Sequence, residues 1–138
     1  MEPLEELHEE YPDFAGRKRR FKTVLRETPG GLCAESVEQT DGPGGYRFRR
    51  IAPTGAPGVA YNELRKRMAH ILNTRHIRRD EEGGAWSATH DALRGRIDSD
   101  SETGAPLMVI DGITLSWDEF GRILLTHEGW DFEFRFVE

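Results

Sequence analysis

The residue types able to do chemistry are few and scattered. They are one cysteine, Cys33, five histidines at 8, 70, 76, 90 and 127, and an acidic run at Asp98, Asp100 and Glu102. A cysteine nucleophile needs a neighbouring base, and nothing in the spacing selects one of the five histidines as that base. No histidine pair stands at H-x-H or H-E-x-x-H, and no Cys/His spacing suits zinc. The acidic run opens like a calcium loop, but that loop requires Gly at its sixth position and Glu at its twelfth. Those positions hold Thr103 and Val109, so an acidic turn is expected. Gly30-Gly31, Gly44-Gly45 and Gly83-Gly84 lack a following Lys-Ser/Thr, and no G-x-G-x-x-G or G-x-S-x-G occurs. No cofactor, no metal and no catalytic residue is predicted. The chain is read as a non-enzyme, with an unrecognised enzyme kept as an alternative.

Charge offers a different chemistry. Net charge is −6 over 138 residues, unevenly spread. Residues 1–16 carry six acids and no Lys or Arg; residues 17–79 carry fifteen Lys/Arg against five acids; residues 80–138 carry four Arg against fourteen acids. Within the basic stretch, Arg17, Lys18, Arg19, Arg20, Arg47 and Arg49 form a candidate binding site for nucleic acid or an acidic partner, with Tyr46 and Phe48 in reach as stacking rings. The acidic pI of about 5.4 and the absence of a base-reading motif favour the plainer expectation, that these arginines balance the acidic C-terminal third.

The elements that must carry these residues are legible from periodicity. Tyr46–Ile51 alternates as a strand, and Phe21–Leu25 does so weakly, before a Pro29-Gly30-Gly31 turn. Leu32–Gln39 is ambiguous. Tyr61, Leu64, Met68, Ile71 and Leu72 recur at helical spacing, which predicts an amphipathic helix over Val59–Asn73 with Arg65, Lys66 and Arg67 off its apolar stripe. Breaks are expected at Pro53–Gly58 and Arg79–Gly84. Short strands are expected at Ala85–Ala88 and Leu93–Asp98.

From Pro106 the pattern is dense. Leu107–Ile110 and Ile113–Leu115 flank Asp111-Gly112, a type I′ hairpin signal in which Asp111 serves the turn. Ser116 and Glu119 form an S-x-x-E capping box. Trp117, Phe120, Ile123 and Leu124 follow as a helical stripe, and Gly121 suggests close approach of another element. Trp130, Phe132, Phe134 and Phe136 then alternate with Asp131, Glu133, Arg135 and Val137, as a half-buried strand does. That aromatic face is expected to pack on Trp117, Phe120 and Leu124.

GYRFRRIAP, YNELRKRMAHIL, LRGRID and above all PLMVIDGITLSWDEFGRILLTHEGW with its terminal aromatic strand resemble an uncharacterised bacterial domain family, a domain of unknown function. The resemblance covers roughly residues 46–138 and implies one compact unit. It brings no activity and no site residue.

The expected fold is α+β, a mainly antiparallel sheet with two principal helices packed on one face. Residues 1–16 are expected to be an acidic flexible tail and residues 17–138 a single domain. No apolar run approaches a membrane span, no leader is visible, and a lone cysteine gives secretion no support, so a cytoplasmic protein is expected. The function expected is a protein-interaction or accessory domain, its partner another protein or a second copy. Nucleic acid binding through residues 17–79 is the alternative.

Overall fold

The computed structural model describes residues 5–52, 57–79 and 83–137. They divide into two compact units, one from the chain up to Asp41 with Tyr46–Thr74, the other from Gly42–Gly45 with Arg75–Val137.

The first unit is a four-stranded antiparallel sheet in chain order, β1 (Glu5–Pro12), β2 (Lys18–Thr28), β3 (Gly31–Glu38) and β4 (Arg47–Ala52), with the helix α1 (Pro57–Leu72). Alternation sets its two faces. Phe21, Thr23 and Leu25 of β2, Ala34 and Ser36 of β3, and Phe48 and Ala52 of β4 are buried. The register sets Thr23 opposite Ser36, and their hydroxyls bond at 2.9 Å, satisfying two buried polar groups. Leu64, Met68 and Leu72 of α1 close this core at the predicted helical spacing, while Arg65 and Lys66 are exposed as the stripe requires. The ambiguous stretch at 32–39 is β3, fixed by ladders on both sides.

The acidic segment expected as a tail is instead strand β1 over residues 5–12; residues 1–4 lie outside the described residues. Its pairing partner supplies the reason. β2 presents Lys18, Arg20 and Lys22 opposite Pro12, Glu10 and His8, and Lys22 reaches Glu6 at 3.3 Å. On the inner face Tyr11 meets Phe21 edge-to-face, with centroids 5.8 Å apart. A segment with few apolar groups is thus held by a full backbone ladder and opposite charge.

The second unit has a two-stranded sheet, β5 (Ile77–Arg79) with β6 (Trp86–Ala88), a three-stranded sheet, β7 (Arg96–Ser99), β8 (Pro106–Ile110) and β9 (Ile113–Ser116), and the helix α2 (Trp117–Leu125). Ile77, Ile110, Leu115, Phe120 and Ile123 form its core. The hairpin is as predicted. Ile110 pairs with Ile113 across Asp111-Gly112, whose φ values are 54° and 77°, the doubly positive pair a type I′ turn demands. The capping box is complete: Ser116 Oγ accepts from Glu119 N at 3.1 Å, and Glu119 Oε1 accepts from Ser116 N at 3.0 Å. Gly95 precedes β7 because a Cβ there would lie 2.5 Å from the Val109 carbonyl oxygen. The predicted loop at Arg79–Gly84 falls partly on residues 80–82, outside the described residues, as do residues 53–56 of the predicted break at Pro53–Gly58.

The α+β class with antiparallel strands therefore stands, with each helix serving the core of its own unit. Two expectations within the second unit do not survive. Residues 130–137 form no strand, and Trp130, Phe132, Phe134 and Phe136 are 64%, 86%, 63% and 78% exposed. The stripe of α2 also divides: Phe120 and Ile123 are buried, whereas Trp117 and Leu124 are about half exposed. The core of this unit is filled from β5, β8 and β9, so the inner face of α2 is covered without the aromatic row. Among the described residues nothing lies within 4 Å of where a Cβ on Gly121 would stand, so the close approach expected there is not seen within this unit.

Candidate functional site

The residues singled out for charge fall into three settings. Lys18, Arg20, Arg47 and Arg49 share the outer face of the first unit's sheet, since Lys22, Val37 and Arg47 lie in one row and Val24, Glu35 and Arg49 in the next. Arg17 lies in the β1–β2 turn, where its backbone N–H donates to Asp13 Oδ1 at 3.0 Å. Arg19 sits on the opposite, inner side. Its guanidinium bonds Asp13 at 2.8 Å and Glu38 at 3.0 Å and lies over the Tyr46 ring at 5.1 Å. Sequence grouping therefore joined residues that the sheet separates.

The outer face is partly neutralised. Arg47 pairs with Glu35 at 3.0 Å and Lys22 with Glu6; elsewhere in the unit, Arg50 pairs with Glu63 at 2.8 Å. Arg19, Arg47 and Arg50 thus find counter-charges inside the first unit. Tyr46 and Phe48 are buried, stacked 5.9 Å apart, so the rings expected beside the basic residues are core. Asp13 is buried, which raises its pKa, yet the Arg19 bond and the Ala15 and Arg17 N–H groups outweigh that and hold it below the ordinary carboxylate value. On the inner side Glu9 accepts from the Tyr61 hydroxyl. Burial, then that carboxylate, pushes the Tyr61 phenol well above its usual range.

The second unit carries two features. The first is a buried pair that sequence reading missed. Asp111 Oδ2 accepts from the backbone N–H groups of His76 and Ile77 at 2.8 and 2.9 Å, and Oδ1 lies 2.9 Å from His76 Nδ1. Asp111 is a turn former, as read, but its carboxylate also ties the entry of β5 to the β8–β9 hairpin. Every one of these bonds is structural. The Asp98–Glu102 run likewise serves a turn: Asp100 Oδ1 accepts from Glu102 N at 2.8 Å. Among the described residues no group of three His, Cys, Asp or Glu is placed to hold a metal ion.

The second feature is apolar surface. Trp117, Gly121 and Leu125 fall at i, i+4 and i+8 on one side of α2 and line a shallow depression with Asp118 and Arg122. Trp117, Leu124 and Leu125 are 53%, 52% and 65% exposed. The four aromatics of 130–136 and Val137 are exposed as well. Single exposed apolar residues are ordinary, but this unit leaves eight large ones uncovered on α2 and residues 130–137.

A family model described as a domain of unknown function (DUF7686) matches residues 3–73, slightly more than half of the chain. The chain belongs to that family. A second model, described as a domain of unknown function (DUF7713), matches residues 76–138. No curated protein and no solved structure matches the chain. The DUF7686 match ends and the DUF7713 match begins on either side of Thr74–Arg75, where the two units part. The resemblance read over 46–138 therefore runs across two families, its most specific stretch, from Pro106, lying wholly in the DUF7713 match. Neither description carries an activity, so the function of the chain is unknown. Among the described residues no helix is long and apolar enough to cross a membrane.

Proposed function

We propose that the chain is a protein-interaction or accessory domain whose contact surface lies on the second unit, at the outer side of α2 and residues 130–137. The supporting observation is that exposed apolar set. Trp117 and the aromatic row are of the residue types that anchor protein interfaces, and Leu124 and Leu125 add apolar area beside Trp117. Acids and bases at its edges, Asp118, Arg122, Asp131, Glu133 and Arg135, give it a polar rim. Contact through this surface would require no chemistry from the scattered histidines and Cys33.

A second reading, nucleic acid binding through Arg17, Lys18, Arg19, Arg20, Arg47 and Arg49, draws on the shared outer face of Lys18, Arg20, Arg47 and Arg49. It is weakened by the ion pairs of Arg19 and Arg47 and by the burial of Tyr46 and Phe48.

Affinity capture with immobilised full-length chain tests the first reading. Wild type should retain a polypeptide, its own or foreign, that a Trp117→Ser/Leu125→Ser variant loses and an Arg47→Ala/Arg49→Ala variant keeps. Equal retention by the Trp117→Ser/Leu125→Ser variant, or retention of nucleic acid alone, would count against it.

A further inference from the structure

Residues 130–137 have a property beyond alternation. In an extended strand Trp130, Phe132, Phe134 and Phe136 fall on one side, and the Phe134 and Phe136 rings are already edge-to-face 5.2 Å apart. Asp131, Glu133, Arg135 and Val137 then fall on the other, and all are exposed. In an antiparallel pair, residues directly opposite meet in rows on each face, and like charges set opposite one another destabilise the pair.

Laid against a second copy with Phe134 opposite Phe134, the segment sets no like charges against one another, and Asp131 faces Val137. Phe132 faces Phe136 twice, and Glu133 faces Arg135 twice. Centring on Phe132 or Arg135 instead sets Asp131 against Glu133 or Arg135 against Arg135, and centring on Glu133 sets Glu133 against Glu133 between two Asp131–Arg135 pairs. A half-step between these centres would put aromatic against charged residues. Of these centres only Phe134 avoids a like-charge contact, and it gives an isologous two-fold arrangement in which one patch meets its own copy.

Resting on the interaction reading above, we propose that the partner is a second copy of this chain, joined by antiparallel pairing of residues 130–137 about a two-fold axis through Phe134. The aromatic side of the resulting ribbon lies on the outer faces of the two α2 helices, over Trp117, Leu124 and Leu125. That backing is needed, since an isolated two-stranded ribbon is marginal in water. The four exposed rings of each copy, at 63–86% exposure, supply most of the apolar area such an interface would bury.

Charge reversal in the full chain is the test, read by sedimentation equilibrium. Wild type should be a dimer. Glu133→Arg and Arg135→Glu each turn both cross-strand ion pairs into like-charge pairs and should weaken the dimer about tenfold or more. The Glu133→Arg/Arg135→Glu double variant restores opposite charges in the same register and should recover wild-type affinity. Both positions are exposed, so in dilute monomer each variant should keep the wild-type circular dichroism spectrum and melting curve. A wild type that stays monomeric up to roughly millimolar chain, a dimer indifferent to the single reversals, or a double variant no tighter than either single would overturn the self-pairing. If wild type is monomeric and yet a foreign polypeptide is lost on Trp117→Ser/Leu125→Ser substitution, the interaction reading stands without the second copy. If no polypeptide is retained either, both fall.

Discussion

Two segments of this chain meet opposite fates. Glu5–Pro12 carries four glutamates and no alternating apolar pattern, and forms a complete ladder with β2. Residues 130–137 alternate four aromatics with polar neighbours and form no ladder. The difference lies in what each segment finds opposite it. β1 meets an edge offering Arg20 against Glu10 and Lys22 near Glu6, and Tyr11 reaches Phe21 on the inner face. The aromatic segment finds its natural support, α2, already packed on its inner side by Phe120 and Ile123. Alternation states that a segment can be a strand; the available edge decides whether it is one.

The comparison breaks most visibly at two phenylalanines. Phe21 is 1% exposed and Phe132 86%. Phe21→Ala should cost about 3–5 kcal/mol of unfolding free energy, the range for a buried aromatic. Phe132→Ala, measured on dilute monomer, should fall within about 0.5 kcal/mol of wild type. Urea melts of both variants check this. A large loss at Phe132 would mean that the aromatic row is core after all.

β5 is a third case, a short strand held by one side chain. Asp111→Ala leaves two backbone N–H groups and the His76 ring without their acceptor, at a cost of about 1–3 kcal/mol for an unsatisfied buried group, and places alanine at a φ of 54°. Asp111→Asn keeps a residue tolerant of that conformation and should lose less. Equal stability of Asp111→Ala and wild type would show that the His76–Asp111 bonds do not secure the entry to β5.

Acid sharpens the account of β1. The folded pKa of Asp13 lies below its ordinary 3.8. Its contribution is therefore present above the unfolded value and is lost as pH falls through the folded one. Urea midpoints for the first unit should decline below about pH 4, and Arg19→Met should shrink that decline. A midpoint independent of pH across this window would contradict the assignment.

The smallest effect belongs to the outer sheet face. Arg47→Ala/Arg49→Ala should change stability by no more than about 1 kcal/mol, as exposed ion pairs do. No salt-sensitive oligonucleotide binding should be present to lose. Tight wild-type binding that this variant abolishes would promote the nucleic acid reading.

What was legible in the sequence was what neighbours in the chain decide among themselves. The Asp111-Gly112 turn, the Ser116–Glu119 box and the Leu64–Met68–Leu72 stripe each carry their own geometry within a few residues. What was not legible depended on distant partners. β1 looked like a tail because its charges are matched only once β2 lies beside it. Arg19 looked like its neighbours until the strand turned it inward, to Asp13 and Glu38. The bond from His76 to Asp111 spans thirty-five positions, and no local signal announces it. The aromatic row alternates as a strand does, yet residues 130–137 form neither the strand nor the packed face expected of them.

Native-state amide exchange tests the central claim most directly, because it reads backbone pairing residue by residue. In dilute protein, amides of Glu5–Pro12 that bond β2 should be protected, while those of residues 131–137 exchange freely. Raising the chain concentration should bring protection to 131–137 and leave β1 unchanged. Protection of residues 131–137 in the dilute monomer, at the level of β1, would show that this segment is already paired within its own chain and would contradict the account.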